Sequence, residues 1–559
     1  MQRMTSFLRR YSAIALVAIV ALGGLWATKQ DFGLGRNMEI MVNLMRELSL
    51  QYVDEVAPEK LMKDGAVGMV RNLDPYTTYM SESEMNDFEL LATGKYGGIG
   101  ATIRMKRDSS GVVIAQPYKG SPSDLAGLKI GDKFVSIDGE DVSKATSADI
   151  SSKLKGTPGT KVKLAVERVM TGKVEEFEIE RARIAIPGIP YAGFVADGVA
   201  YIRHSDFTDG CYDEMRAAVE RLRSEGEIKG LILDYRDNGG GSLPEAVKIL
   251  SMFVPKDSKV VTMKGRTERS KHEYITESNP VLPDVPMVAL INANSASASE
   301  IVCGALQDMD RAVLMGQRSY GKGLVQTLVP LGYNAYAKVT TAKYYIPSGR
   351  CVQRINYSAH DGNNEIVPDS LISEFTTRNG RKVYDGKGLM PDVKTDPEYI
   401  STFAMMLYNL GYVEDFLDGY VRRNPNLKVD NRTFSLSDAD YEEFVKFMAD
   451  KEVPYESRTR LALESLKKIS KEERYDTGFA DDLKEIESKL KDQTADNLRH
   501  YRAEMMDLLN GDVVMRHNYY EGVVEYNLVS DSTVLKAVEL LGDSEQYKKI
   551  LTEQHTSKN

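Results

Sequence analysis

Short apolar runs alternate with amphipathic stretches through the middle of the chain. The runs VAYIRHSDF (Val199–Phe207), GLILDY and PMVALINA are typical of buried strands, and CYDEMRAAVERLRSEG between the first two has helical spacing. A glycine-rich turn, NGGG, and a second amphipathic stretch follow GLILDY. The order of strand, helix, strand, turn and helix predicts a βαβ unit and an α/β fold for this part of the chain.

The flanking regions have different patterns. Between about Leu90 and Ile186, short apolar strands alternate with glycine turns, which predicts a small β-rich domain. The stretch before it has helical periodicity and ends at a predicted turn at Asp74-Pro75. After about Thr395, charged amphipathic segments predict a helical region whose apolar stripes bury against the core or against another subunit. With 559 residues, the chain has room for about three to five domains.

Ser297 lies at a predicted junction between a strand and a helix. The run PMVALINA ends just before SASASEIVCGALQD, which has helical spacing. The free N–H groups of the first helical turn, including that of Ala298, would point at a group that Ser297 attacks and stabilise an oxyanion. The same small polar residues also make an ordinary helix N-cap, and this alternative explains Ser295 or Ser299 well.

Lys322 is the candidate base, because no histidine lies between Asn292 and Gln326. It stands between the predicted strands RAVLMG and LVQTLVPL with a glycine on each side, and burial would lower its pKa enough for base chemistry. Gln326 would share a face with Lys322 if the second strand reaches back that far, and its amide would then hold the neutral amine. The alternative for Lys322 is a solvated loop charge.

The segment from Gly316 to Lys322 also has the GxxxxGK spacing of a phosphate-binding loop. However, Gly323 stands where that motif needs serine or threonine, and the next residues have a strand pattern rather than a helical one. Nucleotide binding is therefore disfavoured.

Several motifs together resemble the C-terminal processing peptidases, also called tail-specific proteases. These motifs are SASASEI, DRAVLMG, GKGLVQ, YYIPSGR and GLMPDV. The resemblance implies an α/β multidomain protein with a crotonase-like ββα peptidase core, in which Ser297, Lys322 and Gln326 form the catalytic set. It also implies that the Gly240 N–H is a second oxyanion donor beside Ala298. A tight turn that merely fits the following helix is the alternative for the glycines.

The sequence departs from the family pattern at Asn294, where glycine often stands, and at Cys351, where serine is frequent. Asp308, on the same predicted helix as the serine, resembles a third member of a triad. We interpret Asp308 instead as a helix C-terminal residue or an ion-pairing residue, with Arg311 as the candidate partner, because a carboxylate beside the base would raise the lysine pKa.

Within the β-rich region, AGLKIGDKFVSIDG resembles a PDZ domain, which precedes or is inserted in the core. Such domains bind an extended peptide as an added strand, and a loop of backbone amides holds the terminal carboxylate. By this resemblance the loop consists of Gly97, Gly98, Ile99 and Gly100. The implied partners are protein substrates with free C-terminal tails. A β-rich domain without this role is the alternative.

The N-terminus predicts export. Arg3, Arg9 and Arg10 precede an apolar run from about Ala13 to Ala27, which fits the core of a signal peptide. No A-x-A site precedes the polar residues that follow, so a retained inner-membrane anchor is the alternative. In both cases the rest of the chain is expected in the periplasm or cell envelope.

Composition disfavours other classes of function. The net charge of −10, without a basic stripe, argues against a nucleic-acid partner. The three cysteines, Cys211, Cys303 and Cys351, are too widely spaced to imply a disulfide framework, and Cys303 is most simply a core residue. No two of the six histidines are closely spaced and no CxxC occurs, so we expect no metal and no cofactor. His204 is interpreted as structural.

The sequence therefore predicts an exported serine endopeptidase that recognises C-terminal tails. We assign residues 1–30 to a signal peptide or anchor, 31–88 to an N-terminal helical region, 89–186 to the PDZ domain, 187–395 to the peptidase core and 396–559 to a C-terminal helical region. The helical regions make a homo-oligomer possible. The alternative is a non-catalytic PDZ scaffold in the envelope, against which the set of Ser297, Lys322 and Gln326 argues.

Overall fold

The computed structural model describes residues 29–82, 84–85, 93–357, 364–397, 399–475, 477–490 and 494–552. The apolar run of the predicted signal peptide or anchor lies outside the described residues. The α-helices are α1 (Lys29–Gln51), α2 (Pro58–Val70), α3 (Pro122–Leu125), α4 (Ser147–Leu154), α5 (Cys211–Glu225), α6 (Leu243–Leu250), α7 (Ala298–Asp308), α8 (Thr402–Asn409), α9 (Tyr412–Arg423), α10 (Asp438–Phe447), α11 (Arg458–Glu472), α12 (Ala480–Lys489), α13 (Thr494–His500), α14 (Arg502–Leu528), α15 (Ser532–Gly542) and α16 (Ser544–Thr552). The strands are β1 (Thr78–Met80), β2 (Lys95–Gly98), β3 (Ala101–Met105), β4 (Val112–Pro117), β5 (Lys133–Ile137), β6 (Glu140–Asp141), β7 (Lys161–Glu167), β8 (Val174–Glu180), β9 (Ala182–Ala185), β10 (Tyr191–Ala196), β11 (Val199–Arg203), β12 (Gly230–Asp234), β13 (Lys259–Gly265), β14 (His272–Ile275), β15 (Met287–Ile291), β16 (Val313–Gly316), β17 (Leu324–Gly332), β18 (Ala335–Tyr345), β19 (Ile355–Asn356), β20 (Glu365–Ile366), β21 (Glu374–Thr376), β22 (Lys382–Tyr384) and β23 (Val393–Lys394).

The chain divides into two compact units. The first comprises the chain up to Met85 together with residues 326–340 and 357–364. It contains α1, α2 and the strand β1, which pairs antiparallel with residues 336–338 of β18. The Asp74 carboxylate accepts the N–H groups of Tyr76 and Thr77 at 2.8 Å each, which confirms the turn predicted at Asp74-Pro75.

The second unit is built around a six-stranded sheet of order β10-β11-β12-β15-β16-β23. The edge strand β10 runs antiparallel to β11, and the other neighbours are parallel. The predicted βαβ unit is confirmed, because α5 connects β11 to the parallel strand β12 and α6 follows the glycine turn.

Both faces of this sheet are buried, which explains why its strands are apolar throughout rather than alternating. One face packs on α5, α6 and α7, with Ile202, Leu233 and Ala289 in its core. The other face packs on the C-terminal helices α14, α15 and α16 through Val524, Val534 and further apolar residues. Of the two possibilities raised for the apolar stripes of the C-terminal region, burial against the core is therefore the one found in the described part of the chain.

The predicted PDZ domain has a sheet of order β3-β4-β5-β7-β8 around its own core, in which Val112, Phe134 and Val162 are buried. The helix α4 starts in a capping box, since Thr146 and Asp149 each bond the main-chain N–H of the other.

The helices α8, α9, α10, α13 and α14 contribute to a further core, which includes Phe403, Phe416 and Tyr441. Among the helices of the described residues, none combines the length and the apolar character that crossing a membrane requires.

Candidate active site

Ser297 occupies the turn between β15 and α7, as the sequence predicted. Its backbone has φ 56° and ψ −114°, and the next residue, Ala298, begins the helix. A positive φ is costly for a residue with a side chain, and such strain clusters at functional turns. Ser297 is half-buried, whereas the whole of α7 is buried. The hydroxyl is therefore placed at the N-terminal end of a buried helix, where main-chain N–H groups are free of helical partners.

The glycine turn after β12 packs directly against this serine. Gly240 has φ 99°, and a Cβ atom added to it would lie 2.7 Å from Ser297 Cβ and 2.8 Å from Ala298 N. Only glycine fits there, because both the conformation and the space exclude a side chain. The Gly240 N–H donates to Asn238 Oδ1 at 2.9 Å in this conformation.

Asn238 connects three parts of the site and is fully buried. Its carbonyl accepts the Ala296 N–H at 3.0 Å and the Ser299 hydroxyl at 2.9 Å, and its amide donates to the His204 carbonyl at 2.8 Å. The sequence analysis missed this residue, since nothing in its local pattern distinguishes it from other turn asparagines.

The loop that carries Lys322 is held by a carboxylate on α7. Glu300 Oε2 accepts the main-chain N–H groups of Ser297 at 3.0 Å and of Lys322 at 2.8 Å. Glu300 Oε1 accepts the Gly321 N–H at 2.8 Å and the Ser319 hydroxyl. One side chain thus ties the backbone of the serine to the backbone of the lysine.

Glu300 is completely buried. Burial raises the pKa of its carboxyl above the ordinary value, and the hydrogen bonds that it accepts partly oppose this shift. The sequence analysis did not single out Glu300, although the spacing S-x-x-E at the start of a helix is a known capping signal.

Gln326 lies on β17, in the first unit, where its amide nitrogen donates to Thr340 Oγ1 at 3.1 Å. The Thr340 hydroxyl in turn donates to Asp74 Oδ1 at 3.2 Å. A shared face with Lys322 required the predicted strand to reach back that far, but β17 begins at Leu324. Lys322 lies in the preceding loop, where its N–H donates to Glu300, so the condition for a shared strand face is not met.

Two further groups fix α7. The Tyr344 hydroxyl donates to the Ser297 carbonyl at 3.2 Å. Asp308 at the other end of α7 forms an ion pair with Arg350 at 2.8 Å, and both side chains are buried. The predicted partner Arg311 is wrong, since its guanidinium donates to the main-chain carbonyls of Phe253, Leu282 and Val285.

His204 is fully buried and packs against the rings of Phe207 and Tyr235. Its Nε2 atom lies 3.0 Å from the Asp206 carbonyl, and burial lowers the pKa of the imidazole to about 3. These contacts are those of a structural histidine. Cys303 is fully buried in the core cluster of α7, as predicted.

The residues of the predicted carboxylate loop span the end of β2, which includes Gly97 and Gly98, and its connection to β3. Gly98, Ile99 and Gly100 are buried, and Gly97 pairs with Arg183 of β9. The Gly100 carbonyl accepts the hydroxyls of Ser121 and Ser123 at 2.8 Å each. Beside the loop, β3 and α4 border a groove of about 390 Å³. The groove is lined by Tyr96, Ile99, Ala101, Thr102, Ile103, Tyr118, Ser147, Ala148, Ser151, Leu154, Lys155 and Ile186.

Three families of domains match this chain. Residues 198–372 match peptidase family S41, residues 113–168 match the PDZ domain, and residues 403–541 match the C-terminal helical domain of probable PDZ-proteases.

Among curated relatives, a carboxy-terminal-processing protease of Bartonella bacilliformis is 32% identical over 335 residues, covering 59% of this chain and 74% of the relative. A carboxyl-terminal-processing protease of Synechocystis is 32% identical over 311 residues, covering 55% of this chain and 70% of the relative. Among solved structures, a photosystem II D1 C-terminal processing protease is 26% identical, with a TM-score of 0.35 over 64% of this chain and 87% of that chain.

The match to peptidase family S41 and the similarity to these named proteases define the class of this protein as a serine-type peptidase. The chain belongs to the carboxy-terminal processing proteases of peptidase family S41, given the identity and coverage of these relatives.

Proposed function

We propose that the chain cleaves peptide bonds with Ser297 as nucleophile and Lys322 as general base. Ser297 Oγ attacks the carbonyl carbon of the scissile bond while the neutral Lys322 amine takes its proton and passes it to the leaving amine. The acyl-enzyme ester is then hydrolysed by a water molecule, whose proton Lys322 takes and returns to Ser297. The observation that carries this proposal is the strained conformation of Ser297 at the start of the buried helix α7.

The N–H groups of Ala298 and Gly240 are the proposed oxyanion donors. Ala298 is the first residue of α7, and the Gly240 backbone packs against both Ser297 and Ala298. Since the Gly240 N–H donates to Asn238 in this conformation, the oxyanion must share or replace that bond. Gln326 is the proposed partner that orients the lysine amine, and this role rests on the family motif GKGLVQ alone.

Substrate recognition is proposed to occur at the PDZ domain. A free C-terminal tail would add to β3 along the groove, with its carboxylate at the amides of Gly97, Gly98, Ile99 and Gly100. The apolar side chains of Ile99, Ile103 and Leu154 in the groove support a tail that ends in an apolar residue.

Export to the periplasm or cell envelope and a possible inner-membrane anchor are also part of the proposal, and both rest on the N-terminal sequence. A crotonase-like core of ββα units is proposed from the family resemblance. A homo-oligomer through the helical regions is supported by exposed apolar side chains on α1, such as Leu34, Met38 and Leu50.

The decisive experiment compares the purified wild type with the Ser297→Ala and Lys322→Ala variants on an unfolded protein that has a free C-terminal tail. We expect cleavage by the wild type only, with unchanged melting temperatures and retained tail binding in both variants. Cleavage by Ser297→Ala would overturn the nucleophile assignment. Tail binding without cleavage by the wild type would favour the scaffold instead.

A further inference from the structure

A cluster of hydrogen bonds joins the loop after β12 to the loop after β15. Asp237 Oδ1 accepts the side-chain amides of Asn292 at 2.8 Å and of Asn294 at 2.9 Å. The Asp237 N–H donates to Asn292 Oδ1 at 2.9 Å. The first loop continues to Gly240 and the second to Ser297, so the cluster lies at the base of both loops.

Asp237 itself has a strained backbone, with φ 60°. Aspartate and asparagine tolerate this conformation better than other residues with side chains, because their short polar groups bond nearby backbone and side-chain groups. The strain persists only where the surroundings hold it, and here the asparagine amides do so. The other carboxylate oxygen lies 3.8 Å from Arg203, which is already paired with Asp234 at 3.0 Å.

The glycine turn packs so closely against the nucleophile loop that neither loop can move without disturbing the other. The space at Gly240 cannot admit even one methyl group beside Ser297. A small shift of either loop would therefore change the distances from the oxyanion to the N–H groups of Ala298 and Gly240. Asn238, the next residue after Asp237, already binds the Ala296 N–H. Asp237 adds a second connection between the two loops, through its bonds from Asn292 and Asn294.

We propose that Asp237 is a positioning residue that sets the glycine turn against the nucleophile loop through Asn292 and Asn294. This inference rests on the proposed roles of Ser297 and Gly240. Asn294 is the position where the family pattern often has glycine, so the second amide bond is a feature of this chain rather than of the motif. The Asp237 side chain is 57% exposed, so its loss is expected to shift the loops without unfolding the core.

The test measures kcat and KM for Asp237→Ala, Asp237→Asn and Asn294→Gly, with Asp257→Ala as the matched control. Asp257 is also an exposed aspartate at positive φ, 62°, but it lies in the turn before β13. We expect Asp237→Ala to lower kcat about tenfold, equal to about 1.4 kcal/mol, with KM changed less than about twofold. Asp237→Asn keeps an acceptor oxygen, so its kcat should be close to that of the wild type. The kcat of Asn294→Gly should lie between those of Asp237→Ala and Asp237→Asn.

A kcat of Asp237→Ala equal to that of Asp257→Ala, or a loss in Asp237→Asn as large as in Asp237→Ala, would overturn the proposal. If Asp237→Ala proves unstable, the comparison of Asp237→Asn with Asn294→Gly still decides it, since equal loss in both contradicts the role of the carboxylate oxygen. Failure of this inference can be distinguished from failure of the proposed function. The proposed function fails when Ser297→Ala retains activity, whatever the kinetics of the Asp237 variants.

Discussion

Glu300 accepts the main-chain N–H of Lys322 at 2.8 Å, so the loop of the proposed base is bound to α7, the helix that starts directly after the proposed nucleophile. The same carboxylate oxygen accepts the Ser297 N–H. A rigid link of this kind fixes where each backbone lies before substrate arrives, which lowers the cost of organising the site during the reaction.

Replacing Glu300 by glutamine should lower activity more than stability. The amide keeps one acceptor oxygen, but in either orientation its NH2 group faces main-chain N–H groups, those of Ser297 and Lys322 or that of Gly321, which weakens the link between the two loops. We expect kcat to fall about 10- to 100-fold with KM little changed, as for a misplaced catalytic group. Steady-state kinetics and thermal unfolding of Glu300→Gln provide the measurement.

Glu300→Ala is the companion variant. It leaves several buried donors without an acceptor, each costing about 1–3 kcal/mol, so its unfolding temperature should drop well below that of Glu300→Gln. Wild-type kcat in Glu300→Gln would contradict the positioning role.

Much of the fold was predictable because its signals are local. The apolar runs around Leu231 and Ala289 and the helical spacing after Ser297 are properties of neighbouring residues, and the strands and the helix lie where those patterns indicate. The family motif adds the positions of Lys322 and Gln326 to these local signals.

Long-range pairings were not predictable in the same way. Asp308 is close to Arg311 in sequence, yet it pairs with Arg350, because the chain after β18 returns to the end of α7. No periodicity reports such a return, nor does it report that α14–α16 cover the second face of the sheet. The sequence pattern also left open where the strand of Gln326 begins, and in the structure β17 begins at Leu324.

The C-terminal helical region holds the PDZ domain through opposite charges. Arg104 on β3 is paired with Glu414 on α9, and Lys106 lies 3.3 Å from Asp415. Arg104→Glu should therefore weaken PDZ docking, and the swap Arg104→Glu with Glu414→Arg should restore part of it. We expect a coupling energy of about 1–2 kcal/mol from a double-mutant cycle on the free energy of unfolding, because both side chains are only partly exposed.

The control for this swap is the pair Lys161–Glu178, which joins two strands within the PDZ sheet and is exposed on both sides. Exchanging its charges should leave the free energy of unfolding near the wild-type value. It should also leave unchanged the protease sensitivity of the junction between the PDZ domain and the C-terminal helical region. Equal effects of the two swaps would mean that the ion pair between Arg104 on β3 and Glu414 on α9 does not specifically stabilise this contact.

The buried side chain of His204 makes the free energy of unfolding depend on pH. Its pKa is about 3 in the folded chain and 6.5 in the unfolded one, so below pH 6.5 the unfolded state binds a proton that the folded state does not. The stabilisation is complete above pH 6.5 and is lost as the pH falls towards 3, by at most about 1.4 kcal/mol per pH unit. Urea unfolding between pH 4 and 8 should show a shallower slope for His204→Gln than for wild type.

The exposed His272 on β14 is the comparison for this slope. His272→Gln should follow the wild-type curve, because this side chain is already exposed to solvent in the folded chain. Parallel curves for wild type and His204→Gln would mean that His204 becomes protonated in the folded chain.

The predicted carboxylate loop can be tested at Gly98, where a side chain is tolerable at some cost. A Cβ atom there would lie 2.8 Å from the ring of Tyr96, which can move, whereas at Gly97 it would lie 2.1 Å from the Gly156 carbonyl oxygen, which cannot move without a backbone shift. Gly98→Val should therefore leave the domain folded while crowding the loop amides. We expect KM to rise about tenfold for a substrate with a free C-terminal carboxylate and to stay unchanged for the same substrate with an amidated end, because only the first uses those amides. An equal rise for both substrates would place the effect of Gly98 elsewhere than at the carboxylate.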